Sequence, residues 1–190
     1  MLFRSCLEQS AAPQLSSLSI HIQCGKDWDF DLDVFSALRI FLNTAVSLRS
    51  LDIRIDPQDY EGGFDILADL QFVFLPRLRS LSLTSEYGVF TKRRTLETLF
   101  RKHAGTLKVL SLHRVNLGGV VEHGDTWCDV LQMLPEVVAL EHFHIDTLTE
   151  GGYQDLSTYF QQENSCGRQA IYDYVLRGAV WPGWNEEIVI

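Results

Sequence analysis

At 190 residues and 46% hydrophobic, the chain has the apolar content for one domain with a substantial core, which excludes a mainly disordered protein. Its 16 Lys plus Arg against 25 Asp plus Glu give a formal charge of -9, a balance that repels a phosphate backbone, so nucleic acid is not an expected partner. Cys6, Cys24, Cys128 and Cys166 show none of the paired spacings of a zinc or redox motif, and no apolar run reaches signal-peptide or membrane-span length, so the expectation is a soluble cytoplasmic or nuclear protein with no membrane partner.

In chain order, Met1 to Ala12 reads as the tail of a helix, with Leu2, Phe3 and Cys6 or Leu7 on one side. A Leu-x-x-Leu-x-Leu phrase then recurs five times: Leu15-x-x-Leu18-x-Ile20, Leu48-x-x-Leu51-x-Ile53, Leu78-x-x-Leu81-x-Leu83, Leu107-x-x-Leu110-x-Leu112 and Leu140-x-x-Phe143-x-Ile145. The starts are 33, 30, 29 and 33 residues apart, the range in which repeat architectures lie.

Between phrases the apolar pattern changes from strand period to helix period. Val34, Leu38, Phe41 and Leu42 follow an acidic approach, Asp27 to Asp33, that suits a helix N-terminus. Phe64, Leu67, Leu70 and Phe74 predict a second helix after Gly62-Gly63, and Leu96, Leu99 and Phe100 a third, with His103-Ala104-Gly105 as its stop. Trp127 to Leu134 predicts a fourth, closed by Pro135, and Tyr153 to Gln162 a fifth. Gln161 to Gly167 reads as a polar linker, and Ala170 to Leu176 as a short apolar segment. Trp181-Pro182-Gly183-Trp184 reads as a turn. The organisation is therefore a repeat domain over residues 1–164 and a C-terminal capping segment over 165–190, packed on the fifth repeat.

One short strand and one helix cannot bury their own apolar side, whereas stacked neighbours bury it jointly. The expected fold class is α/β, a curved right-handed strand-helix horseshoe of about five repeats with a parallel sheet on its concave face. Strand alternation sends phrase positions four and six inward and positions three, five and seven outward. Position three then forms a ladder of Ser17, Ser50, Ser80, Val109 and His142. Position five carries Ser19, Asp52, Ser82, Ser111 and His144, and position seven His21, Arg54, Thr84, His113 and Asp146. The polar residues of these ladders are the candidate binding surface.

At these phrases the chain resembles a degenerate leucine-rich repeat protein, similar to fungal hypothetical proteins with F-box-like leucine-rich repeats. The stretch His103-Ala104-Gly105-Thr106-Leu107-Lys108-Val109-Leu110-Ser111-Leu112-His113-Arg114-Val115-Asn116-Leu117, followed by Trp127-Cys128-Asp129-Val130-Leu131, carries the resemblance most plainly. It covers roughly Leu15 to Phe160, and Tyr172 to Gly178 is similar to the tails of that group. Two departures matter. The Asn or Cys that closes regular repeats would fall at Gln23, Asp56, Glu86, Val115 and Leu148, which predicts irregular turns without a buried polar ladder, although Asn116 and Cys24 sit one position late. No F-box helices are recognisable before Leu15, so a ubiquitin-ligase adaptor is an expected partner only with an F-box upstream.

Three residue groups invite chemistry. His113, His142 and His144, with Asp146, could make part of a zinc shell, but the spacing lacks helical or knuckle signatures, so no metal is expected; they read first as exposed histidines beside a core Phe143, with a pH-sensitive patch ranking above metal binding. Ser111, His113 and Asp146 can be drawn as a triad without a sharp nucleophile turn or oxyanion hole, so no catalytic residues are expected. Lys92, Arg93, Arg94, Arg101 and Lys102 form a basic helix that reads first as a solvated face and second as a site for an acidic partner. Gly118-Gly119 and Gly151-Gly152 lack a phosphate-cradle pattern and read as loops.

The resulting expectation is a non-enzymatic protein-interaction module without cofactors, binding a protein or peptide across the concave face. The resemblance implies target recognition for a ubiquitin ligase, with the F-box lacking. The alternative is a structural or oligomerising fragment completed by another chain or by upstream sequence.

Overall fold

The five leucine phrases become five parallel strands. The computed structural model describes residues 12–24, 32–57, 67–117, 127–146, 148–150, 154–155 and 165–182. The strands are β1 (Ser17–Cys24), β2 (Ser50–Pro57), β3 (Ser80–Thr91), β4 (Val109–Leu117) and β5 (His142–Asp146), paired in sequence order. Their register aligns the phrases position for position. Leu18, Leu51, Leu81, Leu110 and Phe143 share one rung, and Ile20, Ile53, Leu83, Leu112 and Ile145 another.

These rungs are the inner face of the sheet. From Leu51 to Leu112 their side chains are at most 3% exposed, and the opening leucines Leu48, Leu78 and Leu107 are buried beside them. A parallel sheet needs a covering layer, supplied here by α1 (Leu32–Thr44), α2 (Arg93–Lys102), α3 (Trp127–Val137) and α4 (Ser165–Arg177). Leu38 and Leu42 of α1, Leu96, Leu99 and Phe100 of α2, and Trp127, Val130, Leu131 and Leu134 of α3 join the strand residues in one core. The result, among the described residues, is an α/β protein whose sheet has five long parallel strands, extended by two short ones, with four α-helices.

Unit two departs from the helical expectation. Of its predicted helix, Phe64 lies outside the described residues, and the described part is a turn followed by a 3-10 helix, Leu70–Phe72. Leu67, Leu70 and Val73 are buried at a spacing of three, the 3-10 period, so Phe74 rotates outward and is 54% exposed. Its main-chain N–H donates to Asn43 Oδ1 on α1 at 3.2 Å, and Arg39 on α1 reaches Asp69 at 3.0 Å. This segment therefore fills the layer between α1 and α2.

Other boundaries shift for local reasons. Pro135 does not close α3, which runs to Val137; so near the C-terminus the missing proline N–H is tolerated, and Val138 N–H still reaches Leu134 O at 2.9 Å. Gln154–Asp155, expected in a fifth helix, form a short strand, β7, antiparallel to β6 (Thr149–Glu150), and the rest of that helix lies outside the described residues. Ser165–Gly167, read as linker, are the first turn of α4. Met1 to Ala11 and most of the acidic approach to α1 lie outside the described residues.

At its C-terminal end α4 leaves the helix through Gly178, whose φ of 66° suits a residue without Cβ. Before that, α4 closes the sheet. Tyr172 Oη accepts from Ile145 N–H at 3.4 Å and donates to Ile145 O at 3.3 Å, occupying backbone groups of β5. The Tyr172 ring meets Phe143 edge-on at 5.8 Å, and Tyr174 Oη donates to Gln132 O on α3 at 3.0 Å. Exposed strand edges invite pairing with other chains; α4 covers this one.

Candidate functional site

The outward rungs follow the same register. Ser17, Ser50, Ser80, Val109 and His142 align across the sheet, as do Ser19, Asp52, Ser82, Ser111 and His144, and His21, Arg54, Thr84, His113 and Asp146. Every one of these side chains is half-buried or exposed. The face is thus a polar surface whose floor is set by parallel-strand geometry.

Its two carboxylates are engaged within the face. Ser19 Oγ donates to Asp52 Oδ2 at 2.9 Å. Asp146 Oδ2 lies 2.9 Å from His113 Nδ1, and Asp146 Oδ1 lies 3.7 Å from an Arg168 guanidinium nitrogen. Sequence periodicity did not point to Arg168, because it stands in α4, beyond the last phrase; the fold brings it to the seventh-position rung.

Beyond His113 the regular ladder breaks. Thr84 pairs with His113 and Val89 with Val115, so four residues of β3 stand opposite the single Arg114 of β4. Arg114 takes a φ of 51°, the left-handed region that a non-glycine residue adopts at a cost of about 1–2 kcal/mol. After this bulge Val115, Asn116 and Leu117 are all buried, with Asn116 Oδ1 lacking a hydrogen-bond partner. His113 and Asp146 accordingly mark the end of the regular face.

His142 and His144 are exposed and lie on the rungs before Asp146. They do not converge with His113 into a metal shell: among the described residues no group of three His, Cys, Asp or Glu side chains could hold an ion. Ser111 shares β4 with His113, but no hydrogen bond joins the two, and the imidazole Nδ1 is directed to Asp146.

Much of the basic run on α2 is used inside the molecule. Arg93 pairs with Asp129 on α3 at 2.9 Å, Arg101 with Glu97 at 2.9 Å, and Lys102 Nζ donates to Gln71 O at 2.8 Å. These contacts join neighbouring units or neighbouring turns. Arg94 stays exposed.

His103 is the opposite case, a titratable group in the core. It is 2% exposed and stacks against Phe74 with ring centroids 6.1 Å apart. Neither ring nitrogen has a hydrogen-bond partner. Burial, reinforced by the Lys102 charge, pushes its pKa from the ordinary 6.5 down to about 4, with nearby Leu75 backbone opposing slightly without reaching bonding geometry. Beside it is a cavity of about 10 Å³ lined otherwise by aliphatic side chains such as Leu70, Val73 and Leu99. One polar liner cannot satisfy a water molecule, which needs two or more, so this is a packing defect around a structural histidine.

Among the described residues no helix is long and apolar enough to cross a membrane. No family model, curated protein or solved structure matches the chain.

Proposed function

We propose that the protein is a non-enzymatic interaction module of leucine-rich-repeat type, which binds a protein or peptide across the outward face of its sheet. The observation carrying this reading is the unbroken register. It turns a phrase recurring about every thirty residues into three polar rungs, each crossing five strands. Such a surface is extended, varied in side chain and rigidly spaced, which is what recognition of an extended partner uses. The face would be the concave side of a horseshoe, and target recognition for an F-box-like ubiquitin ligase is the role that the resemblance adds.

Selection from a displayed peptide library tests the reading. Selected peptides should lose binding when Ser82 or Ser111 is replaced by Arg and keep it when Arg94 on α2 is replaced by Glu. Peptides that bind all three variants as well as the wild type would sink the assignment of the face.

One observation favours a second reading, assembly through the first strand. Leu18 and Ile20 are half-buried, although their rung partners on β2, β3 and β4 are at most 3% exposed. Another chain or further sequence lying on β1 would complete that burial. Light scattering coupled to size exclusion separates the readings, because a monomer at high concentration removes the case for self-assembly.

A further inference from the structure

One column of side chains lies beside the outward rungs. The second residues of the five phrases are Ser16, Arg49, Arg79, Lys108 and Glu141, and the main chain links them in series. Ser16 O accepts from Arg49 N–H at 2.8 Å, Arg49 O from Arg79 N–H at 2.8 Å, Arg79 O from Lys108 N–H at 2.8 Å, and Lys108 O from Glu141 N–H at 2.7 Å. Each of these oxygens also accepts from the next N–H along, that of Ser50, Ser80, Val109 or His142. The column therefore crosses the N-terminal ends of the strands in steps near the inter-strand spacing of about 4.8 Å.

Its centre is basic on an acidic chain. Arg49 and Arg79 are exposed, Lys108 is half-buried with Nζ 3.1 Å from Ala139 O, and Arg77 stands exposed in the turn just before Arg79. Other arginines are consumed internally: Arg39 by Asp69, Arg93 by Asp129, Arg101 by Glu97, Arg168 by Asp146 and Arg177 by Asp173. Among the described residues, no ion pair or side-chain hydrogen bond engages Arg49, Arg77 or Arg79. Like charges held at this spacing repel, and a row of carboxylates relieves the repulsion.

We propose that Arg49, Arg79 and Lys108, with Arg77, form a docking edge for an acidic peptide segment of a protein partner. Acidic side chains three or four apart on a helix stand about 5–6 Å from one another, close to the step of the column. Nucleic acid fits less well, since four cations face a long phosphate backbone on a chain of charge -9. The edge is built from residues other than the outward rungs and does not depend on what those rungs bind.

Fluorescence anisotropy of a labelled oligoglutamate peptide against the full chain tests the edge, with oligoglutamine as control. Oligoglutamate should bind, oligoglutamine should not, and the affinity should fall as salt is added. The double substitution Arg49→Glu/Arg79→Glu should weaken binding about tenfold or more, while Arg94→Glu should change it less than about twofold. Should the double reversal fail to fold by circular dichroism, Arg49→Gln/Arg79→Gln should weaken binding in the same direction by a smaller factor. No binding to the wild type, an equal loss with Arg94→Glu, or displacement by single-stranded RNA at lower concentration than by free oligoglutamate would overturn the proposal.

Discussion

His113 Nδ1 and Asp146 Oδ2 lie 2.9 Å apart on adjacent strands, at the last shared rung of β4 and β5, with Arg168 of α4 on the other carboxylate oxygen. Three elements far apart in sequence thus meet at one polar contact. Both side chains of the pair are about one-third exposed, at 33% and 35%, so solvent screens much of their attraction. A double-mutant cycle with His113→Ala and Asp146→Ala, read by urea unfolding, should give a coupling of about 0.2–1 kcal/mol. Coupling indistinguishable from zero would make the contact incidental to the fold.

His103 should make stability fall with acid. Its folded pKa of about 4 lies below the ordinary 6.5 of an unfolded chain, so protonation favours the unfolded state. Its neutral-form contribution is intact above pH 6.5 and is lost progressively as pH falls toward 4, by up to about 3 kcal/mol in total. His103→Leu retains the apolar packing without the titration or the orphaned nitrogens. Urea midpoints for the two proteins should diverge in favour of His103→Leu as pH drops from 7 to 4.5, and a pH-independent difference would show that His103 does not titrate in this way.

The register was readable in the sequence because two constraints coincide: apolar residues at phrase positions one, four and six, and strand alternation that forces three, five and seven outward. Leu110, Ser111, Leu112 and His113 sit where those constraints put them. Phe74 departs from the helical expectation because Leu67, Leu70 and Phe74 fit a helical period equally well, and only packing selects the three-residue period that buries Val73 instead. Arg168 and the column of Arg49, Arg79 and Lys108 escaped for a different reason. The first lies outside the repeat, and the second occupies a phrase position that precedes the strands, where alternation says nothing about direction.

Tyr172 tests how far α4 guards the sheet. Its hydroxyl occupies both Ile145 N–H and Ile145 O, at 3.4 and 3.3 Å. These bonds are long, so Tyr172→Phe should destabilise the protein by about 0.5–1.5 kcal/mol and selectively speed hydrogen exchange at the Ile145 amide. Tyr172→Ala should cost more, because the edge-on contact with Phe143 goes as well. Unchanged exchange at Ile145 in the phenylalanine variant would mean that the amide is protected by something other than the hydroxyl.

Leu18 and Leu110 occupy the same inner rung but differ in burial: Leu110 is 0% exposed, and Leu18 at the β1 end is half-buried. Truncation at Leu110 removes a fully packed side chain and leaves a cavity, so Leu110→Ala should cost about 2–5 kcal/mol. Leu18→Ala should cost roughly half as much or less in a monomer, since less surface leaves water when β1 folds. If another copy of the chain covers β1, the ordering changes with concentration. The cost of Leu18→Ala would then rise toward that of Leu110→Ala as the protein is concentrated, and the dimer fraction seen by light scattering would fall in the Leu18 variant alone. Equal and concentration-independent costs would rule out self-association through β1 while placing Leu18 in the same closed core as Leu110.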